Sequence, residues 1–362
     1  MATYKSIRYI VPAEAVEHTD SINALSDVDT NTTAPTDGQI LKWNNTNSKW
    51  YPGDVEEASN ISTTLGIIFA GVNDTTDYYD IGSNIYVSNT GAFSQVSFSG
   101  SLWAAGGVTY GGDKGFVTDG YTYYLISNTG AVGSSVTGIS SSMGLRGVGI
   151  TYGLDKGIFG WGHTNTTNSV YDNHKSTLIS NTGVIGSDTT IPTDSKRTSA
   201  QGFSYGGDKG IVVGGTGEAF ASPHTITSTD GRKNLISNTG IVAAESSCAG
   251  NKRIDGAGGE YGGDKGIVAY GSPGASGVSS TYNTVSNTGV VSSNNTGVGT
   301  ARLYPSYVRY GGDKGLFSGG IDYSGWNELQ AHNLVSNTGV VATDVSHTHD
   351  ARFYSIGCGY GS

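Results

Sequence analysis

The chain has 362 residues and a net charge of −10 with no basic block, which argues against a surface that tracks nucleic-acid phosphates. Glycine reaches 57 residues, charged residues are 14% and hydrophobic ones 36%, so any core must use small side chains well. The 22 tyrosines recur at regular places among valines and isoleucines, which points to an all-β fold rather than a disordered polymer. No stretch approaches the ~18 apolar residues of a membrane span. The first twenty residues lack the apolar core of a signal peptide, so synthesis in a cytoplasm without membrane insertion is expected.

Residues 1–53 carry no repeat. Within them "QILKW" turns at "NNTN" into "SKWYPG", a hairpin candidate that makes this segment a small β module. Asp27, Asp29 and Asn31 alternate in "DVDTNT", but the glycine and the glutamate of a calcium loop are missing, and no calcium is expected. Residues 54–64 then read as a linker.

From residue 65 onward two phrases alternate. "YGGDKG" or a close copy begins at Tyr110, Tyr152, Tyr205, Tyr261 and Tyr310, and a shortened copy begins at Tyr360. "SNTG" begins at Ser88, Ser127, Ser180, Ser237, Ser286 and Ser336. The period is near 50 residues, the signature of a repeat array. Runs such as "GIVVGG" and "GLFSGG" are apolar without alternation, as in strands buried on both faces. "SNTG" fits a hairpin whose glycine is left-handed, and "YGGDKG" fits a second tight turn. Each unit therefore has four strands. The first ends at the tyrosine, the second is the apolar run, the third ends at "SNTG", and the fourth follows it. Six units arranged radially give a β-propeller over residues 65–362. Residues 351–362 are a leftover first strand, expected to pair with residues 66–71 and close the ring. The turns at one end of the units hardly vary. At the other end, the stretch from the glycine closing the second strand to the next "SNTG" runs 17, 7, 18, 22, 15 and 16 residues.

Candidate chemistry is sparse. Arg197, Arg253, Arg302 and Arg352 each lie eight residues before a repeat tyrosine. If the first strands line the axis, these form a partial ring at the channel mouth and bind a carboxylate or phosphate, or else they hydrogen-bond neighbouring carbonyls. His347 and His349 share a strand face without a third ligand in the pattern, so no metal site is assigned. The Asp–Lys pairs, from Asp113–Lys114 to Asp313–Lys314, read as solvated turns. Cys248 and Cys358 lack metal-site spacing and read as small buried thiols. No nucleophile elbow, phosphate loop or paired carboxylates emerge, so neither an enzyme nor a cofactor is expected.

"ARLYPSYVRYGGDKGLFSGG…NLVSNTGVV" resembles the kelch-type propeller repeat, although the tryptophan of that family's fourth strand is missing. "LSDVDTNTTAPTDGQILKWNNTNSKW", residues 25–50, resembles a short module of virion structural and fibre proteins of tailed, cyanophage-like phages. The resemblance implies a surface-displayed virion fibre or decoration protein, attached to other virion proteins through residues 1–53. Its ligand would be a host-surface glycan or protein. The alternatives are a carbohydrate-active enzyme on a propeller scaffold and an intracellular kelch-like protein-binding module.

Overall fold

The structure is a computed structural model and describes residues 27–29, 39–44, 46–54, 64–72, 82–100, 106–139, 146–162, 175–192, 197–216, 231–250, 253–273 and 277–361. The chain divides into two compact units, Met1–Asn60 and Ile61–Ser362. Asn31, most of the expected linker and much of the variable-length stretches lie outside the described residues.

In the first unit, Gln39–Asn44 and Lys49–Asp54 form the expected hairpin, with Trp43 opposite Trp50. The Asn44 side chain accepts a bond from Thr46 N at 2.8 Å, and Ser48 takes a left-handed φ of 52° to finish the turn. Asp27 O accepts from Trp50 N and Asp29 N donates to Trp50 O, so "DVD" adds a short parallel edge through Val28. The Trp43 and Trp50 rings meet edge to face at 5.4 Å and are both exposed.

The second unit is a six-bladed propeller of antiparallel blades. Blade 1 pairs Ile356–Tyr360, Leu65–Phe69, Ser83–Val87 and Phe93–Ser97. Blade 2 is Gly106–Tyr110, Lys114–Thr118, Thr122–Ile126 and Val136–Thr137. Blade 3 is Val148–Tyr152, Lys156–Gly160, Lys175–Ile179 and Thr189–Thr190. Blade 4 is Thr198–Tyr205, Lys209–Thr216, Arg232–Ile236 and Ser246–Ser247. Blade 5 is Ala257–Tyr261, Lys265–Ala269 and Tyr282–Val285, its fourth strand shrunk to the bridge between Tyr282 and Asn295. Blade 6 is Ser306–Tyr310, Lys314–Ser318, Ala331–Val335 and Val345–Ser346. The C-terminal strand closes the ring as expected, with Ile356 opposite Phe69 and Tyr360 opposite Leu65. All six "SNTG" glycines are left-handed, with φ between 78° and 84°.

The apolar core lies between blades rather than at the centre. Each pair of neighbouring blades encloses its own cluster, such as Val108, Tyr110, Phe116, Phe159 and Ile179 between blades 2 and 3. The two phrases are where these seams are made. Every repeat tyrosine lays its ring on the "SNTG" glycine of the next blade: Tyr110 on Gly183, Tyr152 on Gly240, Tyr205 on Gly289, Tyr261 on Gly339, Tyr310 on Gly91 and Tyr360 on Gly130. A β-carbon at these glycines would collide with the ring, so glycine answers two demands there, φ and close approach. Immediately after each tyrosine, a glycine N–H donates to a carbonyl of the next blade. Gly111 reaches Asp155 O and Gly361 reaches Asp113 O, both at 2.7 Å, and Gly311 reaches Thr64 O at 2.9 Å. The aspartates also hold the phrases together within a blade: Asn238 Nδ2 donates to Asp208 at 2.9 Å and Asn337 Nδ2 to Asp313 at 3.0 Å.

The glycine of "DKG" receives a side chain from the preceding blade. Val108 covers Gly157, Ile150 covers Gly210, Phe203 covers Gly266, Val308 covers Gly66 and Cys358 covers Gly115. Blade 5 breaks the series, because its residue at this position is Gly259. Tyr307 of blade 6 fills the gap, lying over Gly259 and Gly315 and donating its hydroxyl to Glu260 O at 2.7 Å. Tyr307 and Gly259 are thus a compensating pair.

Two outcomes follow from these seams. Tyr307→Ala should cost about 3–5 kcal/mol by leaving a cavity, and Gly259→Val alone should also destabilise by overpacking. The double variant Gly259→Val/Tyr307→Gly should unfold at a higher denaturant midpoint than either Tyr307→Gly or Gly259→Val alone. Deleting residues 351–362 exposes the edge of Leu65–Phe69 and should abolish cooperative unfolding, which a calorimetric melt would show.

Candidate functional site

The first strand of each blade is innermost, so residues at equivalent positions form rings around the axis. Three residues before the tyrosine stand Gly107, Gly149, Gly202, Gly258 and Gly357, with Tyr307 as the exception. Their bare backbones line an axial cavity of about 360 Å³ that opens on the face bearing the repeated turns. One residue before the tyrosine the ring reads Thr109, Thr151, Ser204, Glu260, Arg309 and Gly359. The three hydroxyls each donate to the carbonyl of the blade before: Thr109 to Gly359 O, Thr151 to Thr109 O and Ser204 to Thr151 O, at 2.9–3.0 Å. Arg309 Nη1 meets the Glu260 carboxyl at 3.0 Å. Burial pushes the Glu260 carboxyl up to about 7 in spite of Arg309. The cavity therefore pairs a hydroxyl arc with a single titratable ion pair.

The opposite end of the axis is crossed by side chains. Six residues before the tyrosine stand Arg146, Ser199, Asp255, Tyr304 and Tyr354, all left-handed with φ of 53–56°. Their backbones are chained from blade to blade by Ser199 N to Arg146 O, Asp255 N to Ser199 O and Tyr304 N to Asp255 O. Arg146 of blade 3 spans the mouth, donating to Tyr354 OH at 3.0 Å and approaching Asp255 at 3.8 Å. Its guanidinium lies 5.9 and 5.6 Å from the ring centres of Tyr304 and Tyr354, which are 4.1 Å from each other. Burial drives the Tyr304 phenol well above its usual range.

Arg197, Arg253, Arg302 and Arg352 are not at this mouth. They are 5%, 3%, 0% and 0% exposed, folded back into their own blades. Arg197 donates to Gly214 O and Asn234, Arg253 to Tyr270 O, Thr281 O and Asn283, Arg302 to Asn333, and Arg352 to Ala70 O and Ser83 O. Arg302 also stacks 4.1 Å from the Tyr270 ring of blade 5. They brace the second strand against the third, and a ligand would have to unpack a blade to reach them. Of the two readings, these contacts match carbonyl bonding, with the carbonyls in the same blade and not the neighbouring one, and the arginine that faces the axis is Arg146, two positions further along the repeat.

The histidine pair gains a third member. His332 lies 5.9 Å from His347, and His347 lies 5.9 Å from His349. Phe93 of blade 1 packs among all three, at 4.6, 5.6 and 5.8 Å, and so fills the centre a metal would take. Among the described residues, no group of three or more His, Cys, Asp or Glu is placed to hold a metal ion. Burial, with His332 and His349 nearby, lowers His347 to about 4. Cys358 is buried and its thiol is pushed up to about 12, whereas Cys248 is only half-buried. The Asp–Lys neighbours pair at 2.7–3.5 Å with their lysines 40–46% exposed, as solvated turns do.

No family model and no curated protein matches the chain. Its fold is similar to that of a fungal alcohol oxidase of the AA5 family solved in complex with copper, at 12% identity and a TM-score of 0.49. That match covers 79% of this chain and 63% of the oxidase, so the chain spans less than two thirds of that protein. It is also similar to a protein of unknown function from Bacteroides caccae, at 10% identity and a TM-score of 0.48, covering 82% of this chain and 99% of the other. Neither likeness bears on activity.

The two shifted groups act in opposite directions with pH. His347 binds its proton less readily folded, at about 4 against 6.5, so its stability contribution is present above pH 6.5 and is lost as pH falls toward 4. Glu260 holds its proton more readily, at about 7 against 4.5, so its contribution is full below pH 4.5 and is lost as pH rises through 7. In melting profiles against pH, His347→Phe should remove about 1–2 kcal/mol of the acid-side loss, allowing for the partial exposure of His347. Glu260→Gln should flatten the decline between pH 4.5 and 7. Unchanged profiles would contradict both assignments.

Proposed function

We propose that the chain is a structural protein of a tailed-phage particle, a surface-displayed fibre or decoration appendage held by residues 1–53. In this reading the face with the repeated turns points toward the particle and the other face points toward the host, where it contacts a host-surface glycan. The resemblance of residues 25–50 to phage virion modules supports the particle assignment.

One observation carries the orientation. The residue after each "SNTG" glycine in blades 3 to 6 is Val184, Ile241, Val290 or Val340, and these are 61–69% exposed. Four blades in succession thus present an aliphatic side chain at the same place on one face, with Leu154 a fifth exposed aliphatic in a neighbouring turn. Exposed aliphatic side chains recurring at one place on four blades suit a protein partner better than open solvent. The chain also enters the ring at Thr64 on this face, beside Gly311. Variation in connection length falls on the opposite face, as on the binding side of other repeat arrays. The enzyme alternative is less supported, because glycoside hydrolysis uses two carboxyls, and Glu260 is the one carboxyl among the described residues lining the axial cavity.

The test is incorporation. The variant Val184→Ser/Ile241→Ser/Val290→Ser/Val340→Ser should fold normally, since these side chains are exposed, and should be several-fold depleted from purified particles by quantitative mass spectrometry. Incorporation at the normal level would sink the orientation, and absence of the unaltered chain from particles would sink the virion assignment itself.

A further inference from the structure

The axial cavity on the face of the repeated turns breaks the repeat at two places that the seams do not require. The first is Leu154. The second residue after the tyrosine is a left-handed glycine in four blades, Gly112, Gly207, Gly263 and Gly312, and in blade 3 Leu154 takes that conformation with φ of 72°. Glycine would hold this backbone without the steric penalty a β-carbon brings. A β-carbon at Gly112, Gly207 or Gly263 would meet nothing within 4 Å, so no neighbour there needs a side chain. Leu154 is 67% exposed and lines the cavity at its turn-bearing end.

The second departure is the pair Glu260 and Arg309. At this ring position Thr109, Thr151 and Ser204 each join the preceding blade with one hydroxyl. Arg309 makes its joint to Glu260 instead, through carboxyl Oε2 at 3.0 Å. The other oxygen, Oε1, takes no donor from the described residues, although Glu260 is only 9% exposed. A nearly buried carboxylate with half of its acceptor capacity unused is costly, and a hydroxyl would have joined the blades without it. Oε1 is not sealed into the protein, and the space Glu260 lines is the axial cavity.

The lining defines what the cavity can take. Thr109, Thr151 and Ser204 have each given their single proton to a carbonyl, so only lone pairs remain on them. Arg309 is tied through Nε to Gly312 O at 2.8 Å and through Nη1 to Glu260. Asp264 adds a negative field at Glu260 that opposes the field of Arg309. An occupant therefore meets acceptor oxygens, one of them on a carboxyl, with an aliphatic side chain at the entrance. The volume of about 360 Å³ lies within the ~300–1,000 Å³ of small-molecule sites. A primary ammonium has three donors and no acceptor, and its alkyl stem suits Leu154. An anion would face the same lone pairs, and a quaternary ammonium has no N–H to give them.

We infer that the axial cavity binds a primary alkylammonium group, with Glu260 Oε1 and the hydroxyl oxygens of Thr109, Thr151 and Ser204 accepting from the ammonium and Leu154 covering its stem. The site goes beyond the particle reading and does not require it. The group belongs either to a lysine side chain of a partner or to a free amine, and the test separates the two.

The unaltered full-length chain is titrated with n-butylammonium at pH 8, where Glu260 is ionised, while the methyl resonances of Leu154 and Thr151 are followed by NMR. Both should shift saturably. n-Butyltrimethylammonium, with the same charge and stem but no N–H, should bind roughly tenfold more weakly, as should n-butylammonium to Glu260→Gln. Leu154→Gly restores the residue of the other blades, so it should melt no lower than the unaltered chain and yet lose affinity several-fold. Val184→Ser, on the same face and outside the cavity lining, should change nothing. Nα-acetyl-lysine methylamide bound as well as n-butylammonium assigns the group to a partner's lysine, and its exclusion with 1,4-diaminobutane bound assigns it to a free amine. The inference is overturned if n-butylammonium moves neither methyl signal in the unaltered protein, a result that requires no variant to fold, or if the quaternary amine binds equally well. It is equally overturned if Glu260→Gln melts normally and binds as before. The particle experiment fails separately: methyl shifts support the site whatever the particle contains, and their absence rejects it even for a chain found in particles.

Discussion

The structure depends on a tyrosine ring packed against a glycine of the neighbouring blade. This contact occurs at all six seams, and around it gather the glycine N–H to carbonyl bond and the side chain seated over the "DKG" glycine. Blades are only four short strands, and several fourth strands have just two residues. Such a unit cannot bury its hydrophobic faces alone. The six seams supply the buried surface that single blades lack. The repeated phrases are repeated because each is half of a joint, one half on each blade, and the halves must fit in every register around the ring.

The same constraint separates the two ends of the axis. On the face of the repeated turns, tyrosine, glycine, aspartate and asparagine are committed to joints, and little remains to vary except the residue after "SNTG" and the axial ring of Thr109, Thr151, Ser204, Glu260 and Arg309. On the other face backbone bonds from Ser199 N, Asp255 N and Tyr304 N join the blades, and contacts among the side chains of Arg146, Asp255, Tyr304 and Tyr354 add to them.

Much of the architecture was legible because it was written as local turn chemistry. The left-handed "SNTG" glycines, the buried second strands, the 39–54 hairpin and the closing strand all follow from short-range patterns. The site was less legible. The spacing places the four arginines at the correct end of the first strand but leaves their partners open, because the carbonyls they bond lie on other strands of the same blade. Aligning the repeats by their tyrosines would have exposed the column Arg146, Ser199, Asp255, Tyr304, Tyr354 as unusually varied. His332 was missed because it joins His347 and His349 only by strand pairing. The exchange between Gly259 and Tyr307 could not be read at all, since it relates two blades at different positions in the repeat.

The closing strand also sets a schedule. Leu65–Phe69 is made early and waits for Ile356–Tyr360, which follows every other described strand of the ring. At ~5–20 residues per second, the intervening stretch takes roughly 15–60 s to leave the ribosome. Throughout that interval blade 1 is an incomplete sheet, and its neighbours on both sides of the ring lack one joint: Tyr360 is not yet on Gly130 of blade 2, and Arg352 O is not yet accepting from Gly320 N of blade 6. The nascent chain is an open arc whose free edge can recruit another strand. Translation speed and chaperone supply thus become determinants of yield, and a pause late in the message is costlier to this protein than one near its start.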